Sequence, residues 1–398
     1  MRVTTRVVIL LAIFASLLSF AKFSHCEGSG WATPDQYIHA CYSDIPSLYG
    51  ERHLDTGVWP YSQGVNSVEY PVVQGVVMWA TAKVLPHGIN GYFNGSALLL
   101  ALLFIFISFI TFKIAPQYSY LLPLAPAAIA SLYINWDMWA ILSMVLAIYW
   151  FDKGDETKSA VALGISISTK FMPVFLLLPI ALIFFRQERI TKFFHYLGFV
   201  VVTFTAINLP VYLSTPTGWW RFYQLNLDRG SDWGSVWYAL SVLGADLTHQ
   251  NYLSVLSVLI AATVTVLALL QFRKTPTLAT TAFIILAMVM AVSKVYSPQY
   301  VLWLTALAVI AIKTKQTLIT FWAWQIAELA YHVAIWQHLA TLSEAHFGLS
   351  QSFYGAISLI RLVAAIAMIY SLAHQLTKAR STQGKPWDFL FEIASTYP

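Results

Sequence analysis

The sequence predicts an all-α protein, a polytopic transmembrane helical bundle with a long first extracytoplasmic loop. Three observations predict it. Of 398 residues, 58% are hydrophobic and only 10% charged, with a mean hydropathy of +0.65. Apolar runs recur near the ~20-residue length that spans a bilayer. The lysines and arginines are spaced between those runs, as the positive-inside rule requires, so the net charge of +5 does not imply a nucleic-acid partner.

The first run, VVILLAIFASLLSFAKF after Arg2 and Arg6, has the look of a signal peptide. No small-x-small cleavage site follows, because SFAKFSHC places Lys22 and bulky side chains where small ones are needed. It is expected to stay as the first helix, with residue 1 in the cytoplasm and the next loop outside. That loop gathers six of the eighteen carboxylates (Glu27, Asp35, Asp44, Glu51, Asp55, Glu69) against one arginine, Arg52. Both cysteines, Cys26 and Cys41, lie in it, and an extracytoplasmic position permits a disulfide without establishing one.

Residues 70–86 are ambiguous, since counting them as a crossing reverses every later loop. If they lie flat in the outer interface, cytoplasmic segments hold 15 of 23 basic residues, whereas the outer side keeps Lys22, Arg52, Lys83, Lys170, Arg221, Arg229 and Lys294. Charge asymmetry favours that arrangement. Further apolar runs fall at about 96–112, 119–134, 138–151, 159–185, 193–212, 252–272, 276–292, 300–312, 317–336 and 353–374. Lys170 and Pro173 split the 159–185 run into two half-length helices. The chain thus reads as one integral-membrane domain over 1–377, with a first external loop at about 24–95 that includes the interfacial helix, and a short cytoplasmic tail at 378–398.

The motifs DIPSLY, GVWPY, VEYPVVQG, NWD, STKFMPVFLLLP, RGSDWGSVW and SKVYSPQYVLWL together resemble the actinobacterial C-type integral-membrane glycosyltransferases. Within them the likeness is to glycosyltransferase family 87, the polyprenyl-phosphate-mannose-dependent α-mannosyltransferases. It runs from about residue 7 to 374. The resemblance implies a bundle of the C-type kind in the cell membrane. It implies transfer of a hexose, mannose first, from a polyprenyl-phosphate donor to a glycolipid or polysaccharide acceptor. It further implies a catalytic carboxylate in the first external loop, where Asp44 is the first choice as general base and Asp35 the second. Family members tend to place that aspartate four residues before a tyrosine, whereas Asp44 and Tyr49 are five apart.

The chemistry needs one base for the acceptor hydroxyl and cations for the departing phosphate. Lys170, Arg221, Arg229 and Lys294 are the cation candidates; interface anchoring is the alternative for Lys294. Glu51, Asp55 and Glu69 read as loop-structuring or acceptor-binding groups, and Glu69 also as a cap for the interfacial helix. Asp137 reads as a helix cap, a sugar ligand or a cation partner. Tyr70, Tyr296 and Gln299 supply the aromatic and amide groups from which sugar pockets are built. Glu328 and His332 are four apart and are expected to form a buried triad with Arg361. No cofactor and no metal are expected, since HExxH order and paired carboxylates are both missing. A multi-pass transporter or lipid flippase is the alternative, with the broken 159–185 pair and the Glu328, His332 and Arg361 group as its supports.

Overall fold

The computed structural model describes residues 3–85, 88–272 and 275–378. The expected tail beyond Lys378, together with Arg2, Arg273 and Lys274, lies outside the described residues. No β-strand occurs among those described.

α1 (Thr5–Gly28) begins where extended Thr4 accepts a hydrogen bond from the Val7 amide. The first loop then holds two short helices, α2 (Asp35–Ile38) and α3 (Asp44–Glu51), before α4 (Val72–Val84). α4 has 13 residues, about 20 Å at the α-helical rise and well short of a ~30 Å hydrocarbon core. α5 (Ile89–Ile114) is full length.

The 119–134 run is not one helix. It divides into α6 (Leu121–Leu124) and α7 (Pro126–Ser131), and residues 132–137 bend into α8 (Met138–Asp152). Pro126 is the cause, because a proline disfavours helical backbone in the residue before it, and Ala125 is accordingly extended. α9 (Glu156–Thr169) stops at extended Lys170, a 3₁₀ turn carries Pro173, and α10 (Leu177–Arg186) resumes, as the half-length pair expected from sequence.

The remaining helices are α11 (Ile190–Ser214), α12 (Pro216–Asp228), α13 (Val236–Val242), α14 (Gln250–Leu270), α15 (Leu278–Val292), α16 (Tyr300–Ala311), α17 (Lys315–Leu342) and α18 (Gln351–Lys378).

Among the described residues five helices, α1, α5, α11, α14 and α18, are long and apolar enough to cross a membrane. Their outer faces expose Leu10 and Phe14, Leu98, Val202, Leu259 and Val363. Water would not tolerate so wide an apolar surface, so these faces require lipid. The shorter helices α15 and α16 bury nearly every side chain at the centre, and α8 buries about half of its own. This is a membrane protein built as a helical bundle.

Two glycines permit close approaches. A side chain at Gly164 would meet Thr203 and, at 3.0 Å, the Val200 carbonyl, so α9 lies tightly against α11. A side chain at Gly218 would strike the Tyr61 carbonyl, so α12 sits directly on the first loop.

The expected triad is corrected to a pair. Arg361 Nε donates to Glu328 Oε2 at 2.8 Å with both side chains 1% exposed. The guanidinium also donates to the Tyr296 carbonyl at 2.9 Å and lies between the rings of Tyr296 and Tyr331. Glu328 accepts further bonds from Trp324 Nε1 and the Tyr296 hydroxyl. His332, one turn along, meets Lys22 Nζ at 2.8 Å and Ser131 Oγ at 3.2 Å instead. Arg361 enters from α18 at the level of Glu328, while α1 delivers Lys22 at the level of His332.

Removing one partner of a buried pair leaves an uncompensated charge and costs about 3–5 kcal/mol. Arg361→Met should therefore lower the thermal midpoint in detergent strongly, and the double variant with Glu328→Gln should recover most of the loss. Equal melting of the single variant and wild type would show that this pair does not hold α17 to α18.

Candidate active site

The first loop and the bend before α8 are laid together by backbone bonds. Ser43 Oγ donates to the Tyr133 carbonyl at 2.7 Å, and the Asp44 amide donates to the Ile134 carbonyl at 2.8 Å. Ser43 also caps α3, which places Asp44 in its first turn. Asn135 then faces Asp44, donating from Nδ2 to Asp44 Oδ2 at 2.7 Å and to the Tyr70 hydroxyl at 2.9 Å. Its Oδ1 accepts from Gln74 Nε2 on α4 at 3.2 Å. A carboxylate can only accept, so this network fixes which way the amide points.

Burial pushes the Asp44 carboxyl up to about 6; the bonds from Asn135 and Tyr42 and the charge of Lys170 oppose that rise, while Asp137 adds to it. The Tyr42 hydroxyl is raised in turn, mainly by the Asp44 charge and then by burial. Asp44 is therefore largely ionised at neutral pH yet basic enough to take a proton.

Asp137 lies beside this group and is fully buried. The capping expectation fails, since its side chain makes no cap bond to α8. Oδ2 instead accepts from Trp303 Nε1 at 2.9 Å, and Lys170 Nζ lies 2.8 Å from Oδ1, out of line for a hydrogen bond. Asp137 thus pairs with the Lys170 cation. Lys170 Nζ also stands over the Tyr70 ring, 4.8 Å from its centroid, and the lysine side chain keeps 13% exposure.

Tyr70 is held from behind. Tyr61 Oη bonds the Tyr70 and Pro71 carbonyls at 3.0 and 2.9 Å, and Arg52 grips Glu69 through two bonds of 2.5 and 2.8 Å. Glu69 is thus an ion-pair partner and not a cap: Pro71 occupies the N-cap position before α4, and no side chain makes a cap bond there.

A second polar group is built on Asp232. Asp232 accepts from Ser297 Oγ at 2.8 Å and lies 3.6 Å from Arg229 Nη2. Tyr300 lies within electrostatic reach of Asp44, Asp137, Asp232 and Arg229. Lys294, expected as a phosphate contact or an interface anchor, bonds the chain itself. Its Nζ donates to the Leu227 and Arg229 carbonyls and to Asn251 Oδ1, at 2.8–3.2 Å, so its protons hold the 227–232 loop.

Other sequence candidates fall elsewhere. Tyr296 is sealed between Arg361 and Glu328, and Gln299 is buried at the start of α16. Glu51 and Asp55 are exposed, with Glu51 3.9 Å from Arg52. Asp35 bonds Ser29, His25 and His39, and the Ser29 bond, followed by those histidines, holds it below the usual carboxylate range. Arg221, on α12, has a buried Nε without a partner and, among the described residues, no carboxylate within ion-pair distance. Sequence reasoning missed Asn135, although it stands two residues before Asp137 in NWD, and Asp232 in RGSDW. Among the described residues one group of three side chains is spaced to hold a metal ion, His25, Asp35 and His39.

Between α11 and α12 runs an apolar groove of about 700 Å³ lined by Phe204, Leu209, Tyr212, Trp219 and Trp220. Aromatic contacts continue from Trp219 to Tyr223 at 4.8 Å and from Tyr223 to Phe171 at 6.0 Å, ending beside Lys170.

No protein-family model and no curated protein matches the chain. Among solved structures it is similar to ArnT from Cupriavidus metallidurans bound to undecaprenyl phosphate, at 14% identity and TM-score 0.48, over 95% of this chain and 78% of that one. It is also similar to ArnT from the same organism in the apo state, at 15% identity and TM-score 0.44, over 83% and 72%. Both scores are too low for the likeness to assign an activity.

Asn135 favours the charged form of Asp44, so its loss must raise that group's pKa above about 6. Infrared titration of the carboxylic-acid band assigned to Asp44, by difference from Asp44→Asn, should show Asn135→Ala titrating at higher pH than wild type. An unchanged midpoint would mean the amide does not tune the acid.

Proposed function

We propose that this protein is an integral-membrane glycosyltransferase that moves a hexose, with mannose the first candidate, from a polyprenyl-phosphate donor to a glycolipid or polysaccharide of the cell envelope at the outer face of the cell membrane. The observation that carries the reading is the juxtaposition of a half-buried Asp44, raised by desolvation, with the partly exposed Lys170, at the end of an aromatic path leading to an apolar groove. The motif resemblance to C-type glycosyltransferases supports it independently.

In this mechanism Asp44 takes the acceptor hydroxyl proton as that oxygen attacks the anomeric carbon. The bond from that carbon to the phosphate oxygen breaks, and the polyprenyl phosphate departs with the bonding electrons. Lys170, with Arg221 and Arg229, counters the negative charge on the leaving group, where a low-dielectric site makes fixed cations most effective. Tyr70 and Asn135 hold the sugar edge. The groove between α11 and α12 takes the first isoprene units. The transporter reading loses its relay, because Glu328 and Arg361 form a sealed pair and His332 stands apart from them.

The topology is part of the proposal, with α4 on the outer surface and residues 153–158 in the cytoplasm. Single cysteines at the exposed positions Ser62 and Thr157 should be labelled by an impermeant maleimide from outside and from inside respectively. External labelling at 157 would place the proposed site on the wrong face.

Asp44→Asn should lower turnover of a polyprenyl-phosphate-mannose donor by roughly 10²–10⁴-fold with donor binding nearly intact, since the amide cannot accept the proton. Asp35→Asn, Glu51→Gln and Asp55→Asn should matter less. Because the base works only when ionised, kcat/KM of the wild type should fall as pH drops through about 6 and be lost below it. Full activity of Asp44→Asn removes Asp44 from the mechanism, and activity in all four variants favours transport.

A further inference from the structure

The clustering of His25, Asp35 and His39 is separate from the Asp44 network and is not used by the proposed reaction. The three come from two segments. His25 belongs to the last turn of α1, and Asp35 and His39 stand four apart across α2. His25 Nε2 lies 2.9 Å from Asp35 Oδ2, and His39 Nδ1 lies 3.0 Å from Asp35 Oδ1 and 3.1 Å from the Asp35 carbonyl. The imidazole centroids are 3.7 Å apart. One ligand atom from each residue falls within 4.8 Å of the others.

The Cys26–Cys41 disulfide clamps these segments together, with one half-cystine next to His25 and the other two residues beyond His39. Ser29 Oγ donates to Asp35 Oδ2 at 2.7 Å, the kind of outer bond that orients a ligating carboxylate.

We propose that His25, Asp35 and His39 form a divalent transition-metal site of the zinc class. Two imidazoles and a carboxylate suit Zn²⁺ and disfavour Ca²⁺ and Mg²⁺, which take oxygen ligands. Bonds of about 2.0–2.2 Å in a tetrahedron set ligand atoms about 3.3 Å apart. The two histidine contacts, which go to different Asp35 oxygens, need to open by a few tenths of an ångström, and the widest separation in the set, within 4.8 Å, needs to close by about 1.5 Å through side-chain rotation. The ion replaces the protons now shared between the histidines and Asp35, and those protons pass to solvent. Side-chain exposures of 33–47% leave the fourth position for water or an incoming ligand.

The ion joins the end of α1 to α2. α2 is in turn fixed to α17, since Gln337 Nε2 donates to the Ile38 carbonyl at 2.8 Å and Tyr37 stacks on Trp336. From Cys41 the chain runs through Tyr42 and Ser43 directly to Asp44. The metal therefore stiffens the segment that delivers Asp44, without touching the reacting atoms.

The test uses the full chain, purified in detergent without a polyhistidine tag, stripped with chelator and dialysed against Zn²⁺. Elemental analysis should find one zinc per chain, and a chromophoric chelator should report its affinity. Ser29→Ala should weaken binding about tenfold, and His25→Ala, His39→Ala or Asp35→Asn by more. Asp35→Asn retains hydrogen-bonding capacity and guards against a folding defect, and non-reducing electrophoresis checks that Cys26–Cys41 persists in each variant. Zn²⁺ should raise the melting temperature of the wild type only, with excess Ca²⁺ or Mg²⁺ failing to displace it. Retention of no zinc by the wild type, or equal affinity in the variant carrying all three ligand replacements, would overturn the proposal and leave a hydrogen-bonded surface cluster. Because the readout is metal content and melting, its failure is distinguishable from failure of the glycosyltransferase reading.

Discussion

Asp137 is the constraint on which the centre of this molecule depends. A fully buried carboxylate without a compensating charge costs several kcal/mol, and its partner must come from across the bundle. Lys170 reaches it because α9 ends one residue earlier and the chain turns extended. The interrupted helix pair, the turn through Pro173 and the restart of α10 accompany that reach. Trp303 satisfies the other carboxylate oxygen and draws in α16. One charge thus aligns α8, the α9–α10 break and α16, and leaves the lysine within electrostatic reach of Asp44.

Two charged pairs in the bundle serve opposite ends. Arg361 and Glu328 are closed off, with the guanidinium sandwiched by tyrosines and the carboxylate bonded by three neighbours. Such a pair fixes helices and offers nothing to a ligand. Lys170 and Asp137 meet without good hydrogen-bond alignment, and the lysine keeps some exposure and the face of Tyr70. An incompletely satisfied cation beside a carboxylate raised by burial is the pattern expected where charge develops during a reaction.

The helical membrane bundle was legible because bilayer thickness forces long apolar runs, and the break at Lys170 because a charge and a proline interrupt one. The run at 119–134 misled, since composition alone does not show that Pro126 divides it into two short helices around the NWD bend. Asn135 was invisible for a different reason: an amide acquires its role only when the fold brings Asp44, Tyr70 and Gln74 to it from two other segments. Lys294 shows the converse. Its position beside apolar helices suggested a phosphate ligand, but the carbonyls that consume its protons lie some 65 residues earlier in the chain. His332 shares a helix face with Glu328 by spacing, yet each is claimed by a different neighbouring helix.

The seat of α12 on the first loop gives the structure a lever. Gly218 presses against the Tyr61 carbonyl with no room for a side chain, and the next two residues, Trp219 and Trp220, form the wall of the apolar groove. Tyr61 in turn bonds the carbonyls of Tyr70 and Pro71. Close-packed protein is nearly incompressible, so a displacement of the loop at Tyr61 must move the aromatic wall and the Tyr70 segment together. Ser67 Oγ also presses on Gly218, and Gly64 faces Thr217, so the first loop and the groove wall move as one body through this seam.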